Sequence, residues 1–375
     1  MDYLCCSTLF PSLPGFTFKT CFHPLSHPRR RSASVVVAGV SRFHPSLNIP
    51  LLPLSTTGIY LTRILQNQRQ LFHVALDEEL CLLASQRDET ALRIAAAVDD
   101  HHHDEACLYR RIAEVKQREW QVSIRDLMYA DVLFKFGEIK VHLVPRLCKC
   151  IYNGRLELWP AKDWELESIH GIDSLEMIKE HVAAVIGLRA DSSVSDNWAI
   201  TRVERPLLRE IYGDSISYGY FLKSASLRHN LEHLLTLSHP KRSSRNNNFR
   251  GSNLIFGHTN KFQAARSQIM EEKRQEKLRC YLLGFDKETL QRCMKIRSKE
   301  AADLIEKHTA ALFGEGKTGS LTSDETILSS FSSLKRLVLE AIAFGSFLWD
   351  VEEHVDAVYK LNDNLHSGPP CTETS

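Results

Sequence analysis

Apolar residues recur at helical spacing from about residue 58 to 98, at Leu61, Leu65, Phe72, Ala75, Leu76, Leu80 and Leu83, and predict a long amphipathic helix. A polar run, DDHHHDE at 99–105, interrupts the pattern. It resumes through Leu108, Ile112, Val115, Val122, Leu127, Val132 and Phe136, and stops at Gly137. Two long helices joined by a short polar loop predict an antiparallel hairpin over 58–137. The stretch 139–160 changes character. It is rich in Val, Leu, Ile and Tyr, holds Pro145 and Pro160, and carries an Asn153-Gly154 turn signal, so a short β-hairpin is expected. Helical spacing returns after Asp163, and Gly171 is expected to break it before the next helix.

That next helix has an echo further along. Residues 177–187 read MIKEHVAAVIG and residues 304–314 read LIEKHTAALFG, with Ile178/Ile305, His181/His308, Ala183/Ala310, Ala184/Ala311 and Gly187/Gly314 identical. The order continues through Ser195-Asp196/Ser323-Asp324 and through Gly219, Phe221 and Leu222 against Gly345, Phe347 and Leu348. Such repetition exposes a structural unit. Each copy is expected to be a helix, a loop and a second helix, the first within 138–237 together with the β element, the second within 263–361. Gly187 and Gly314 would close the leading helices, Pro206 would open one trailing helix, and Ser323 or Asp324 would cap the other. Between the copies, the Asn-, Ser-, Gly- and Arg-rich run 238–262 reads as a mobile loop. A charged helix over 263–277 and a strand-like RCYLLGF at 279–285 follow, then Asp286 as a helix cap. Residues 362–375 read as a disordered tail. The expected fold is mainly α, a multi-helix bundle with two pseudo-repeated helix-pair units and a small β element.

Composition changes the picture most at the N-terminus. Between Asp2 and Asp77 there is no acidic residue, while Lys19, Arg29, Arg30, Arg31, Arg42, Arg63 and Arg69 fall there. Seven of the 13 prolines lie in the first 53 residues. An acid-free, Ser-rich, Arg-containing leader has the composition of an organelle transit peptide. Pro11, Pro14, Pro24 and Pro28 would break the amphipathic helix of a mitochondrial leader, and no apolar run follows an early cation as in a secretory signal. Chloroplast import of a stromal protein is therefore expected, with residues 1–57 as leader and cleavage near Ala38. Loss of that leader leaves a slight excess of acid, so the basic balance gives no argument for nucleic-acid binding. The 10 cysteines show no paired framework and suit buried thiols in a reducing compartment. No uncharged run reaches the ~18 residues of a membrane span; the best, LVLEAIAFGSFLW at 337–349, is short and contains Glu340.

Several strings carry possible chemistry. His229-Asn230-Leu231-Glu232-His233 fits H-x-x-E-H, which places two zinc ligands beside a glutamate base on one helical face. The matching positions in the second copy are Val355, Val358 and Tyr359, so packing also explains the spacing. Gly316-Lys317-Thr318 has the end of a phosphate-binding loop, but Ala311 stands where its leading glycine belongs and a helix precedes it. His101, His102 and His103 lie among Asp99, Asp100 and Asp104, yet three adjacent side chains do not readily converge on one ion. Cys148-Lys149-Cys150 is one residue too close for a redox C-x-x-C pair. Lys241, Arg242, Arg245 and Arg250 with Phe249 could touch RNA, but charges in such a loop are usually solvated. The pair His181/His308 could face each other in a pseudo-symmetric bundle and ligate a tetrapyrrole or a metal; hydrogen-bonded helix histidines are the plainer reading.

The strings RQLFHVALDEEL (69–80), CIYNGRLELWPAKDWELESIH (150–170), YGYFLKSASLRH (218–229) and SSLKRLVLEAIAFGSFLWD (332–350) carry a resemblance. Together, over about 58–361, the chain resembles a plant family of UV-B-induced chloroplast proteins that contain a domain of unknown function. The resemblance implies a plastid location and a link to light or UV-B stress, and it brings no catalytic residues. An amphipathic repeat without a convergent polar constellation suits association better than catalysis. The expectation is a non-enzymatic protein with no cofactor, binding a protein partner in the chloroplast and not nucleic acid. The alternative is a metal- or tetrapyrrole-binding protein using the repeat-equivalent histidines.

Overall fold

Helix α1, Thr56–Asn67, starts where the Ser55 side chain accepts the Gly58 N–H. The computed structural model describes residues 48–99, 103–187, 200–238, 278–314 and 326–361. Residues 1–47 of the leader expected over 1–57, the histidines at 101 and 102, residues 239–262 of the loop expected over 238–262, the helix expected over 263–277, Gly316-Lys317-Thr318 and the tail lie outside them, and the side chain of His103 is not described, whereas residues 48–57 run into α1 and Ser238 ends a helix. The single helix expected over 58–98 is two. A 3-10 turn at Arg69–Leu71 separates α1 from α2, Phe72–Asp99. The break lets Phe72 turn inward and stack on Phe134 of α3, His103–Glu138, at 4.8 Å between ring centres. Further along, the Trp120 Nε1–H donates to Gln86 Oε1 at 3.3 Å, so α2 and α3 run antiparallel. Buried Asp126 of α3 anchors the chain entering α1, its Oδ2 accepting the N–H groups of Leu54 and Ser55 and the Ser55 hydroxyl.

After α3, a 3-10 turn at Leu147–Lys149 leads into β1, Ile151–Tyr152, and β2, Arg155–Leu156. Asn153 and Gly154 both take positive φ, 50° and 74°, as a two-residue hairpin turn requires. Short α4, Asp163–Glu167, and α5, Ile172–Ile186, follow; α5 ends at Gly187, whose φ of 71° is the left-handed C-cap. Then come β3, Ile200–Glu204, and the long α6, Arg205–Ser238. The strand expected at 279–285 is helical over 278–283, and Asp286 holds the N-cap position of α7, Lys287–Met294. Helix α8, Lys299–Phe313, is capped by Ser298, and β4, Thr326–Ser330, runs into α9, Phe331–Tyr359. Neither Ser323 nor Asp324 caps this last helix: Ser330 does, its side chain accepting the Ser333 N–H. A strand therefore precedes both α6 and α9 where the sequence suggested a loop.

The strands form one sheet in the order β1-β2-β4-β3, with β2 parallel and β3 antiparallel to β4. Helix α9 is the hub. It is buried on nearly every side and packs against α2, α3, α5 and α6, as a helix apolar all round must be. Among the described residues no helix is long and apolar enough to cross a membrane. The protein is mainly α with a small four-stranded sheet.

The closest approach is between α6 and α9. A Cβ on Gly219 would sit on the Ile342 carbonyl oxygen, and one on Gly345 would sit on the Ile216 carbonyl oxygen. The contacts are reciprocal: Gly219 and Gly345 differ by the same spacing as Ile216 and Ile342. Arg202 and Leu328, separated by that spacing too, are direct partners in the β3–β4 ladder. Helix α5 packs on α9, and α8 packs on α6.

Candidate functional site

The polar side chains of this core gather around α6 and α9. Glu340 of α9 is fully buried, and both of its oxygens accept the Val144 N–H at 3.0 Å. Arg336, one turn earlier and equally enclosed, pairs with it at 2.9 Å and donates to the His142 carbonyl at 3.0 Å. The Tyr212 hydroxyl of α6 lies 3.0 Å from His308 Nε2, and Tyr212 also interacts with the Glu340 carboxyl. Which of the two donates across the Tyr212–His308 contact is set by the ring nitrogen that carries the proton. A polar chain thus runs from His308 through Tyr212 towards Glu340, with Arg336 balancing the charge. Burial raises the Glu340 carboxyl above its usual range, against the lowering effect of Arg336. It also lifts the Tyr212 phenol well above its ordinary value. Such a network ties α6, α8, α9 and the 142–144 segment together, because moving any of them would break buried polar contacts.

His308 sits fully buried in this network, stacked on Phe344 at 4.3 Å, and burial lowers its pKa to about 3. His181 of α5 stacks on Tyr218 at 4.1 Å and hydrogen-bonds the Ser215 hydroxyl at 3.3 Å; burial lowers its pKa to about 4. Both rings are neutral at physiological pH. Each is turned onto its own hydroxyl partner on α6, at Tyr212 and Ser215, and not onto the other. The facing pair imagined from the sequence is replaced by two separate packing sites.

The H-x-x-E-H string lies near the end of α6. The His229 and His233 ring centres are 6.4 Å apart, but Glu232 is drawn away to Arg228 Nε at 3.0 Å, and His229 packs on Tyr281 at 4.9 Å. The hydrogen bond from Arg228 above all holds the Glu232 carboxyl below its usual range. Among the described residues no group of three or more His, Cys, Asp or Glu side chains is placed to hold a metal ion. Cys148 is exposed and Cys150 half-buried, both free thiols; burial first, then the Glu340 charge, push the Cys150 thiol up to about 11. That is the reverse of a reactive thiolate.

Three large side chains stand apart. Tyr152, Trp159 and Trp164 are 75%, 82% and 80% exposed, although aromatic rings this large usually enter a core. Strand alternation explains the placement: Leu156 and Leu158 face inward, buried, so Arg155, Glu157 and Trp159 face outward, and Tyr152 is the cross-strand partner of Arg155. Every charge beside these rings is matched within the chain. Arg155 pairs with Glu157 at 3.1 Å and Lys162 with Glu165 at 2.5 Å. Lys335 takes Asp163 at 2.9 Å and Glu167 at 3.4 Å. Three cations thus face four carboxylates in these pairs, so the charged groups around the rings are engaged within the chain. Sequence reasoning missed it, although the hairpin's own alternation, read outward from Leu156 and Leu158, puts Trp159 on the open face.

Comparison with known proteins places this geometry in a lineage. Residues 107–235, which span α3 to α6, match the family described as Protein of unknown function (DUF760). A protein of Arabidopsis thaliana named as a chloroplastic UV-B-induced protein is 37% identical over 338 residues, covering 83% of this chain and 77% of the relative. No solved structure matches. With that identity over most of its length, the chain belongs to the plant family of UV-B-induced chloroplast proteins, whose shared domain has no known function.

Proposed function

We propose that the protein works in the chloroplast stroma, in the response to UV-B or light stress, by holding a protein partner and not by catalysis. The observation that carries this reading is the exposed Tyr152-Trp159-Trp164 strip. Large aromatic side chains dominate the binding energy of protein interfaces when a partner desolvates them, and a monomer gains nothing by leaving three in water. The Arabidopsis relative, named as a chloroplastic UV-B-induced protein, supports the compartment and the stress link. The burial and ring stacking of His181 and His308 favour packing over ligation, so the tetrapyrrole or metal alternative has weaker support. The test is affinity purification from chloroplasts, before and after UV-B, with the wild type and a Trp159→Ser/Trp164→Ser double variant. A stoichiometric partner retained by the wild type and lost by a folded double variant is the expected result. Equal retention by both, or a bound pigment or metal in the purified wild type, overturns the reading.

A further inference from the structure

The two sides of the α6–α9 crossing are filled differently. Helix α8 ends in Leu312-Phe313 before Gly314, and these side chains are 1% and 2% exposed. The Phe313 ring meets Tyr212 edge-on, with centres 5.7 Å apart, in the angle between α8 and α6. In the reciprocal angle, between α5 and α9, the chain carries Val185-Ile186 before Gly187, and Val338 in the place of Tyr212. Two rings on one side thus correspond to two branched aliphatic groups on the other. The consequence is a cavity of about 280 Å3 against Ile186, Leu208, Leu334 and Val338.

We propose that this cavity binds a small, uncharged compound with a single aromatic ring. Its volume exceeds the roughly 150 Å3 of an engineered apolar cavity that binds benzene. The counterpart space shows what these helix angles accommodate when filled: a phenyl and a phenol ring set edge to face, the arrangement aromatic pairs favour. Strand β3 brings Thr201, Arg202 and Glu204 to the same cavity. Arg202 and Glu204 oppose each other in charge, which disfavours a charged ligand, and the Thr201 hydroxyl can hydrogen-bond a ring substituent. The cavity opens to solvent past the exposed Leu207, and a ring seated in it would cover the half-buried Val185, Ile186, Val203 and Ile211, removing apolar surface from water.

Phenol is the probe, with cyclohexanol as a non-aromatic control of similar size. A saturable rise in melting temperature with phenol, much smaller with cyclohexanol, is expected for the wild type. Ile186→Phe places the counterpart ring in the void and should lower the apparent affinity for phenol by at least about tenfold, since even one methylene in an apolar site is worth that much. Val185→Leu, a milder filling, gives the same test should the phenylalanine variant fail to fold. The Trp159→Ser/Trp164→Ser variant should respond to phenol as the wild type does, which separates this site from the aromatic strip. The proposal is overturned if phenol gives no saturable shift, if cyclohexanol matches it, or if the filled variants respond unchanged. It is also overturned if filling the void abolishes self-association of the protein, because the occupant would then be a second copy.

Discussion

Gly219 and Ile342 are packed backbone to backbone: the α-carbon of the glycine faces the isoleucine carbonyl with no room for a methyl group between them. Gly345 and Ile216 repeat the arrangement, and the Ser346 hydroxyl donates to the Gly219 carbonyl across the same seam at 3.2 Å. Glycine at this crossing therefore serves approach, since both residues lie within helices at ordinary helical angles.

Gly219→Ala should cost on the order of 3 kcal/mol or more, because the obstacle is backbone and α6 must move off α9. Gly213, in the same helix, has nothing within 4 Å of its would-be Cβ. Gly213→Ala should instead stabilise by about 0.5–1 kcal/mol through helix propensity. Urea unfolding of the two variants should show midpoints displaced in opposite directions; equal displacement would sink the close-approach argument.

Tyr212→Phe removes one oxygen and leaves the buried His308 Nε2 without its hydroxyl partner. A loss of about 1–3 kcal/mol is expected, as for any buried polar group stranded by deletion of its mate. A double variant, Tyr212→Phe with His308→Phe, should recover part of that loss. Additive losses in the double-mutant cycle would show that the two side chains act separately.

The buried histidines predict acid sensitivity. Both His181 and His308 have pKa values lowered by burial, to about 4 and about 3. The unfolded chain takes up these protons near pH 6.5 while the folded chain does not. Their contribution is therefore fully present above pH 6.5 and declines as pH falls towards 4, by up to about 1.4 kcal/mol per pH unit for each ring. Replacing His181 by Gln should flatten the slope of stability against pH in that window. An unchanged slope would mean the ring is protonated in the folded protein.

How much of this was legible in the sequence depends on which forces are local. The Asn153-Gly154 hairpin and the Gly187 C-cap could be read because backbone angle alone selects those residues. The break at Gln68 could not, since no glycine or proline marks it and only the Phe72–Phe134 stack explains it. Strand β4 reads TILSS, a composition closer to a loop; it becomes a strand through pairing with β3 more than a hundred residues away, which also moves the cap from Ser323 or Asp324 to Ser330. Arg336 and Glu340 stand one turn apart inside an apolar run, and that spacing was the available sign of a buried pair. The repeat marked His308, but its meeting with Tyr212 gave no sign, because it joins two helices across 96 residues of sequence. Trp159 and Trp164 were missed for the opposite reason: large aromatic residues default to the core.

His354 of α9 predicts the opposite pH dependence to the buried rings. Its Nε2 lies 3.1 Å from Asp77 on α2, and its Nδ1 lies 3.9 Å from the buried Asp131 on α3, so one imidazole ties three helices together. Interaction with Asp131, then the charge of Asp77, holds its pKa above the ordinary histidine value against the desolvation that would lower it. The protonated ring therefore stabilises the fold below pH 6.5, and this contribution is lost as pH rises through the raised pKa. The side chain is 39% exposed, so solvent screening keeps the contribution below about 1 kcal/mol. His354→Gln should accordingly unfold slightly earlier than the wild type at pH 6 and match it at pH 8.5, with added salt narrowing the gap at pH 6. A gap that persists unchanged at pH 8.5 would show that the imidazole acts through packing and not through its charge.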